Sequence, residues 1–283
     1  LWVPVNNSLR NMKSLSGFIR SQWYKVARAR LEREVSARAP KMSLDRSNWA
    51  ASLKDPITFY FECLRYFYQE LPSELRQHRD YFYNPPSNRR GFGEHPFHVM
   101  WYLLFREFKP ANFLEIGVFR GQTISLAAFC ARLSGASCEV YGISPFSAAG
   151  DSVSKYSNTV EYYADTLANF DHFGLPQPTL VRAFSTDEIA LRLIRGTRWE
   201  MVYIDGNHEY EVARRDWEAC AESAASGAII VLDDAALTTD YNPPGYAGSR
   251  GHPGPSRLAQ EINRDRFREI LQVGHNRVFQ KLS

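Results

Sequence analysis

Two short apolar runs that each end on acid constrain the fold more than any other feature of this sequence. Residues 201–204 (MVYI) run into Asp205, and residues 228–232 (AIIVL) run into Asp233 and Asp234. Between them lies a polar helical pattern, residues 210–224, closed by Gly227. Apolar runs of four or five residues with a helix between them suggest buried parallel strands in a βαβ unit. Parallel neighbours lie about 4.8 Å apart and end on one edge of the sheet. If these two strands are neighbours, three carboxylates meet at that edge, with His208 three residues beyond Asp205. Open α/β sheets bind their ligands there.

The rest of the chain extends the same unit. Strands are expected at 112–116 (NFLEI), 139–143 (EVYGI) and 179–183 (TLVRA), with helices at 122–133, 160–173 and from Ser185 to Arg195. Ser185-Thr-Asp-Glu188 has the spacing of a capping box. The alternation predicts an α/β fold, a Rossmann-like, doubly wound, mostly parallel sheet. After a short helix at 257–264, two alternating runs flank Gly274-His275-Asn276 and predict a C-terminal antiparallel hairpin. Upstream, Asp55-Pro56 offers an N-cap and a first-turn proline for an aromatic-rich helix to Leu71, residues 79–93 read as a loop, and His95-Pro96 opens a helix stopped by Pro110. His95 and His98 on that helix are read as structural. A division follows: a helical leader over 1–50, a helical cap over 51–110, and the α/β domain over 111–283.

Charge is unevenly spread. The net charge of +3 contains a leader of +7, from ten Lys/Arg against three Asp/Glu in residues 1–50, so the remainder sums to −4. Leu15, Phe18, Ile19, Trp23 and Val26 recur at helical spacing among Arg20, Lys25 and Arg28. Such a helix packs on its own domain or a second subunit, or lies on an anionic membrane surface through residues 10–35. Positive charge confined to the leader argues against nucleic acid as substrate. No apolar run approaches the roughly 18–20 residues of a membrane span. Cys63, Cys130, Cys138 and Cys220 form no C-x-x-C pair and read as reduced thiols of a cytoplasmic protein.

The chemistry of the first strand end is distinctive. Glu115-Ile-Gly117-Val-Phe-Arg-Gly121 has the spacing E-x-G-x-x-x-G, where glycine permits a tight turn and leaves no Cβ between backbone and ligand. It is not the G-x-G-x-x-G that cradles a pyrophosphate, and the carboxylate would repel one; a cationic or zwitterionic nucleoside suits it better. With the alternating body and the terminal hairpin, this motif resembles the class I S-adenosylmethionine-dependent methyltransferases over residues 90–283. The D-G-x-H-x-Y run at Asp205 and the Asp233-Asp234 pair are similar to the branch of macrolide sugar O-methyltransferases and cephalosporin-biosynthesis methyltransferases. The resemblance implies that Asp205, Asp233 and Asp234 hold Mg²⁺ or Mn²⁺ and that His208 is the base. It also implies that Glu115, Gly117, Gly121, Ser144, Ser185 and Asp205 line the cofactor pocket. The sequence departs from the pattern where the second strand ends in Ser144-Pro145 rather than in an acid for the ribose hydroxyls; Asp151 and Asp165 are candidates to compensate.

Methyl transfer to oxygen requires a deprotonated hydroxyl held in line with the sulfonium methyl. A hard ion on carboxylates lowers the hydroxyl pKa and orients it, and a nearby histidine takes the proton. The expected activity is O-methylation of a small molecule, a sugar or glycosylated metabolite, by a homo-oligomer. Two other readings use the same residues: a metal-dependent hydrolase or hydroxylase, and a non-catalytic cofactor-binding module. Asp205-Gly206-Asn207 also reads as a plain turn and Asp233-Asp234 as a strand-end cap. Residues 238–256, dense in Pro, Gly and Tyr, are expected to be a long loop, with Tyr241, Tyr246, Arg250 and His252 as candidates to close over substrate.

Overall fold

The computed structural model of the chain describes residues 26, 29–35, 37–83, 91, 93–244 and 247–282. The amphipathic pattern at 15–30 lies almost wholly outside the described residues, as does Tyr246. A 3-10 helix, Arg46–Leu53, precedes α1 (Pro56–Gln69), α2 (Ser73–Tyr83) and α3 (His95–Phe108). The alternating body follows: β1 (Asn112–Ile116), α4 (Gln122–Leu133), β2 (Glu139–Ser144), α5 (Tyr162–His172), β3 (Thr179–Arg182), α6 (Glu188–Gly196), β4 (Trp199–Ile204), α7 (Tyr210–Ser223) and β5 (Ala224–Leu232). It closes with α8 (Pro253–Glu261) and the hairpin β6 (Phe267–Val273) and β7 (Asn276–Lys281).

The seven strands run in the order β3-β2-β1-β4-β5-β7-β6, with β7 antiparallel to both neighbours and the other pairings parallel. Strand order reverses between β1 and β4, which opens a crevice at their carboxyl ends. Both faces of the sheet are covered, which explains the near-continuous apolar runs. Phe113, Met201, Tyr203, Ile229 and Val231 pack with α1, α3 and α4 on one face. Leu114, Ile116, Val202, Ile204, Ile230 and Leu232 pack with α6, α7 and α8 on the other. The upstream helices share the first of these cores, with Trp49, Phe59 and Phe67 in the same cluster as Phe113.

Several local expectations change. The capping box at Ser185 does not form: Asp187 is the N-cap of α6, and its Oδ2 accepts the Phe184 N–H at 2.9 Å. The short carboxylate turns back on its own loop, so Ser185 stays outside the helix. The predicted loop at 79–93 starts later, because α2 continues to Tyr83 with Leu75, His78 and Phe82 buried along one face. Strand β5 starts four residues early, at Ala224, and passes through Gly227 at φ 77°. The stretch from residue 238 is tied down rather than free: Ala235 bridges Gly251, Arg250 Nη2 donates to Leu237 O at 2.9 Å, and α8 begins at Pro253. Tyr241 packs inward against Tyr60, ring centres 5.4 Å apart, with no exposed surface. The Asp55 cap and Pro56 start form as expected, Asp55 Oδ1 accepting the Thr58 N–H at 3.0 Å.

Candidate active site

Register and strand parity assemble the acids. Ile116 pairs with Ile143 and Ile204, and Ile204 pairs with Leu232, so β1, β2, β4 and β5 end in step. One further backbone bond extends each ladder: Gly117 N–H to Ile143 O (2.9 Å), Asp205 N–H to Ile116 O (2.9 Å) and Asp233 N–H to Ile204 O (3.0 Å). Glu115 aligns with Tyr203 and Val231, and Asp205 and Asp233 lie two residues beyond those partners. With a side-chain period of two, all three carboxylates fall on the α3 face of the sheet. Asp234 would point to the other face, but its left-handed backbone (φ 53°) turns it. A segment across the crevice holds it there: Asp234 O accepts from His252 N (2.9 Å) and Ser256 Oγ (3.2 Å).

The resulting cavity, of about 460 Å³, is lined by Glu94, Glu115, Asp205, His208, Asp233, Asp234, His252 and His275. Burial pushes the Asp205 carboxyl well above its usual range, and the neighbouring Asp233 charge adds to this. Burial works against an ionised Asp233, but the His275 imidazole, together with hydrogen bonds from Asp205 and the Asp234 backbone, holds that carboxyl at about 2. Two histidines supply the compensating charge. His208 would lose its proton through burial, yet Nε2 lies 2.8 Å from Asp234 Oδ2 and Nδ1 2.6 Å from Asp151 Oδ2, which lifts it to about 9. His275 is likewise lifted, against burial, to about 10 by Asp233 and Glu94. Its Nε2 stands 3.3 Å from Asp233 Oδ1 and 3.7 Å from Asp234 Oδ1.

A second cavity, of about 170 Å³, opens between the ends of β1, β2, β3 and β4, walled by Ser144, Phe146, Phe184 and Ser185. The two cavities share Gly117, Phe119, Ser154, Tyr156 and Asp205. Gly117 is required on geometric grounds: at φ 101°, an added Cβ would sit 1.8 Å from the Asp205 carbonyl oxygen. Glu115 is 3% exposed, its Oε2 has no hydrogen-bond partner, and burial raises its carboxyl to about 8. Gly121 stands apart from both walls; it caps α4 and packs on Thr166 of α5. Asp165 does not stand in for an acid at Ser144, because its carboxylate pairs with Arg120 at 2.7 Å. Asp151 does line this cavity, but both its oxygens are engaged, one by His208 and one by the Val153 and Ser154 N–H groups. Those bonds hold it at about 2 although burial opposes them.

Two participants, Glu94 and His275, and the role of a third, Asp151, were not expected from the sequence. Glu94 accepts from Tyr60 Oη (2.8 Å) and Ser249 N (2.7 Å) and faces His275 Nδ1 at 3.8 Å. Asp151 fixes His208 rather than a ribose. His275 belongs to the hairpin turn, which reads only as a turn in the sequence; yet β7 is antiparallel to β5 and pairs Leu232 with Arg277, so that turn stands beside Asp233. His98, by contrast, is a core residue: both ring nitrogens are buried without partners, and burial lowers it to about 3. His95 Nδ1 meets Tyr68 Oη at 2.6 Å and the ring stacks on Phe67.

Comparison with known proteins agrees with this architecture. Residues 114–235 match the family described as "Methyltransferase domain". Comparison with curated proteins gives no match. Among solved structures, a putative caffeoyl-CoA O-methyltransferase from Staphylococcus aureus superposes with a TM-score of 0.56 at 13% identity, covering 78% of this chain and 98% of that one. An SAH-bound methyltransferase from Podospora anserina gives 0.52 at 13% identity over 78% and 94% of the two chains. An O-methyltransferase from Bacillus cereus in complex with SAH gives 0.51 at 13% identity over 84% and 100%. At such identities these likenesses speak for the fold, and the family match speaks for the segment that carries every acid on the α3 face except Glu94. Residues 114–235 are thus similar to a methyltransferase domain, and the chain shares the α/β fold of these solved methyltransferases.

Proposed function

We propose that this chain transfers a methyl group from S-adenosylmethionine to a hydroxyl of a small molecule, a sugar or glycosylated metabolite, assisted by Mg²⁺ or Mn²⁺ on its strand-end acids. The observation that carries the reading is Glu115 Oε2, a buried carboxylate oxygen without a partner, two residues before the Gly117 turn where the two cavities meet. Such an oxygen costs about 1–3 kcal/mol unless something bonds it, and an ammonium group does so best. The resemblance to the sugar O-methyltransferase branch supports the acceptor class.

The residues suit both groups. When bound, S-adenosylmethionine supplies an electrophilic methyl and the ion lowers the pKa of a coordinated hydroxyl. Ser144, Ser185 and the exposed Phe184 ring would receive the adenosine, and Glu115 the ammonium. Asp205, Asp233 and Asp234 offer hard oxygens of the kind Mg²⁺ and Mn²⁺ take. His208 is the proposed base. Asp151 accepts from Nδ1, which leaves Nε2 as the working nitrogen, and the substrate hydroxyl would replace Asp234 beside it. The tightly held proton on His208 means that the base forms only when that contact with Asp234 is broken. A metal-dependent hydrolase built on the same acids gives Glu115 nothing to hold.

Asp205→Ala and His208→Ala are the direct test. Both should still bind S-adenosylmethionine by calorimetry, and both should lose methyl transfer in a screen of sugar and glycoside acceptors. Wild-type rates in both variants would remove the metal and base assignments. No helix among the described residues is long and apolar enough to cross a membrane, and the leader's contact with a second subunit or a membrane surface stays a separate proposal.

A further inference from the structure

The acid cluster has a nitrogen aimed into it. His275 sits in a two-residue turn opened by Gly274 at φ 61°. Three contacts fix its ring and backbone: His275 O accepts the Ala235 N–H at 2.9 Å, the ring meets Phe97 edge-on at 4.7 Å, and Nδ1 lies 3.2 Å from Ser249 O. A carbonyl oxygen can only accept, so Nδ1 carries a proton, and an ion bound at Nε2 displaces the second proton of the imidazolium. Nε2 is then the nitrogen that faces Asp233 and Asp234. An N–H held by a backbone carbonyl, with the opposite nitrogen turned toward carboxylates, is how proteins orient a metal-binding imidazole. Two further facts point to a ligand rather than to a plain ion pair. Asp233 Oδ1, on a residue 8% exposed, makes no hydrogen bond of normal geometry. One donor atom each from Asp233, Asp234 and His275 also lies within 4.8 Å of the other two, close to the span that a single ion bridges with bonds of about 2.1 Å.

We propose that His275 is a ligand of the divalent ion, so that the site combines the strand-end carboxylates with an imidazole and prefers Mn²⁺ or another first-row transition ion to Mg²⁺. Mg²⁺ is satisfied by oxygen and water, whereas an imidazole ligand gains most with transition ions. The proposal rests on the metal half of the functional reading above and sharpens it. It also gives the hairpin a role: β7 brings a ligand to the sheet edge that β4 and β5 alone cannot supply.

The test uses the full chain, stripped with a chelator and titrated with Mn²⁺ alone under electron paramagnetic resonance. Pulsed measurement reads ¹⁴N modulation from a directly bound imidazole. The expected result is one bound Mn²⁺ with nitrogen modulation, lost in His275→Gln and kept in His252→Gln. Mn²⁺ affinity in His275→Gln should fall by at least the roughly 10–100-fold that even an orienting partner is worth, and Mg²⁺ affinity should fall less. Circular dichroism checks the fold of each variant. If His275→Gln does not fold, the double variant His208→Gln/His252→Gln replaces it, and modulation retained there leaves His275 as the bound imidazole. Modulation that survives His275→Gln or disappears in the double variant, Mn²⁺ bound without nitrogen coupling, or no Mn²⁺ binding at all would each overturn the proposal. Calorimetry with S-adenosylmethionine on the same samples separates the two readings. Oxygen-only Mn²⁺ with intact cofactor binding removes the histidine ligand and spares the methyltransferase; nitrogen-coupled Mn²⁺ without cofactor binding does the reverse.

Discussion

Two pairs of histidines in this molecule differ in charge: one is neutral and the other cationic. His78 and His98 lie between α2, α3 and α4 among Phe82, Phe129 and Phe173, their ring centres 5.2 Å apart. Among the described residues no carboxylate pairs with either ring, burial drives both below the usual imidazole range, and they stay neutral. His275 is buried too and His208 half-buried, but His208 meets two carboxylates and His275 three, and each keeps its proton. The same side chain, shielded from bulk water, is thus a core filler or a cation according to its neighbours. Glu115 obeys the same rule from the acid side: with no cation beside it, burial raises it to about 8.

The comparison breaks most visibly at the charged pair. His208→Ala should cost about 10²–10⁴-fold in kcat, the usual worth of a positioned base, with cofactor binding by calorimetry almost unchanged. Asp151→Asn should cost less, roughly 10–100-fold, because the nitrogen remains and only its orientation is lost; equal costs for the two variants would show that His208 is structural. Glu115→Gln comes next. At pH 7 the free protein already holds Glu115 largely neutral, so the melting temperature should hardly move. The bond to a cofactor ammonium should still weaken by about 1.5–3 kcal/mol, the worth of a charged hydrogen bond. A drop in stability with unchanged S-adenosylmethionine affinity would place Glu115 in the scaffold instead.

What the sequence shows and what it hides follow the same division. The sheet was legible because each buried strand is an apolar run and each run ends in something chemical: Glu115-Ile-Gly117, Asp205-Gly206, Asp233-Asp234. The hairpin was legible from Gly274. The partners of the acids were not, because they come from elsewhere in the chain. Glu94 precedes α3, Asp151 sits in the loop after β2, and nothing local marks either as facing His208 or His275. His275 was within reach of the topology: an antiparallel strand beside β5 must start where β5 ends. Ser185 was misplaced for a different reason, since Asp187 can cap backward as well as forward and sequence spacing does not say which.

The neutral pair gives the smallest effect and the cleanest sign. The folded pKa of His98, about 3, lies below the roughly 6.5 of an unfolded histidine. Between those values the unfolded chain binds a proton that the folded chain refuses, so stability falls as pH drops below the unfolded value. One such group costs about 1.4 kcal/mol by pH 5.5 and almost nothing at pH 7.5. His208 and His275 run the other way: their contribution is complete below the unfolded value and fades as pH rises from there through about 9 and about 10. Between pH 7.5 and 5.5 wild type and a His98 variant both carry that opposite slope, so it cancels in their comparison. Urea titrations of wild type and His98→Leu at pH 7.5 and 5.5 isolate the difference. Leucine removes two ring nitrogens that bond nothing, so the variant should lose less stability than wild type between the two pH values, by about that 1.4 kcal/mol. Equal losses would mean that the His98 ring takes up its proton in the folded core, and that burial without a carboxylate is not what separates the two pairs.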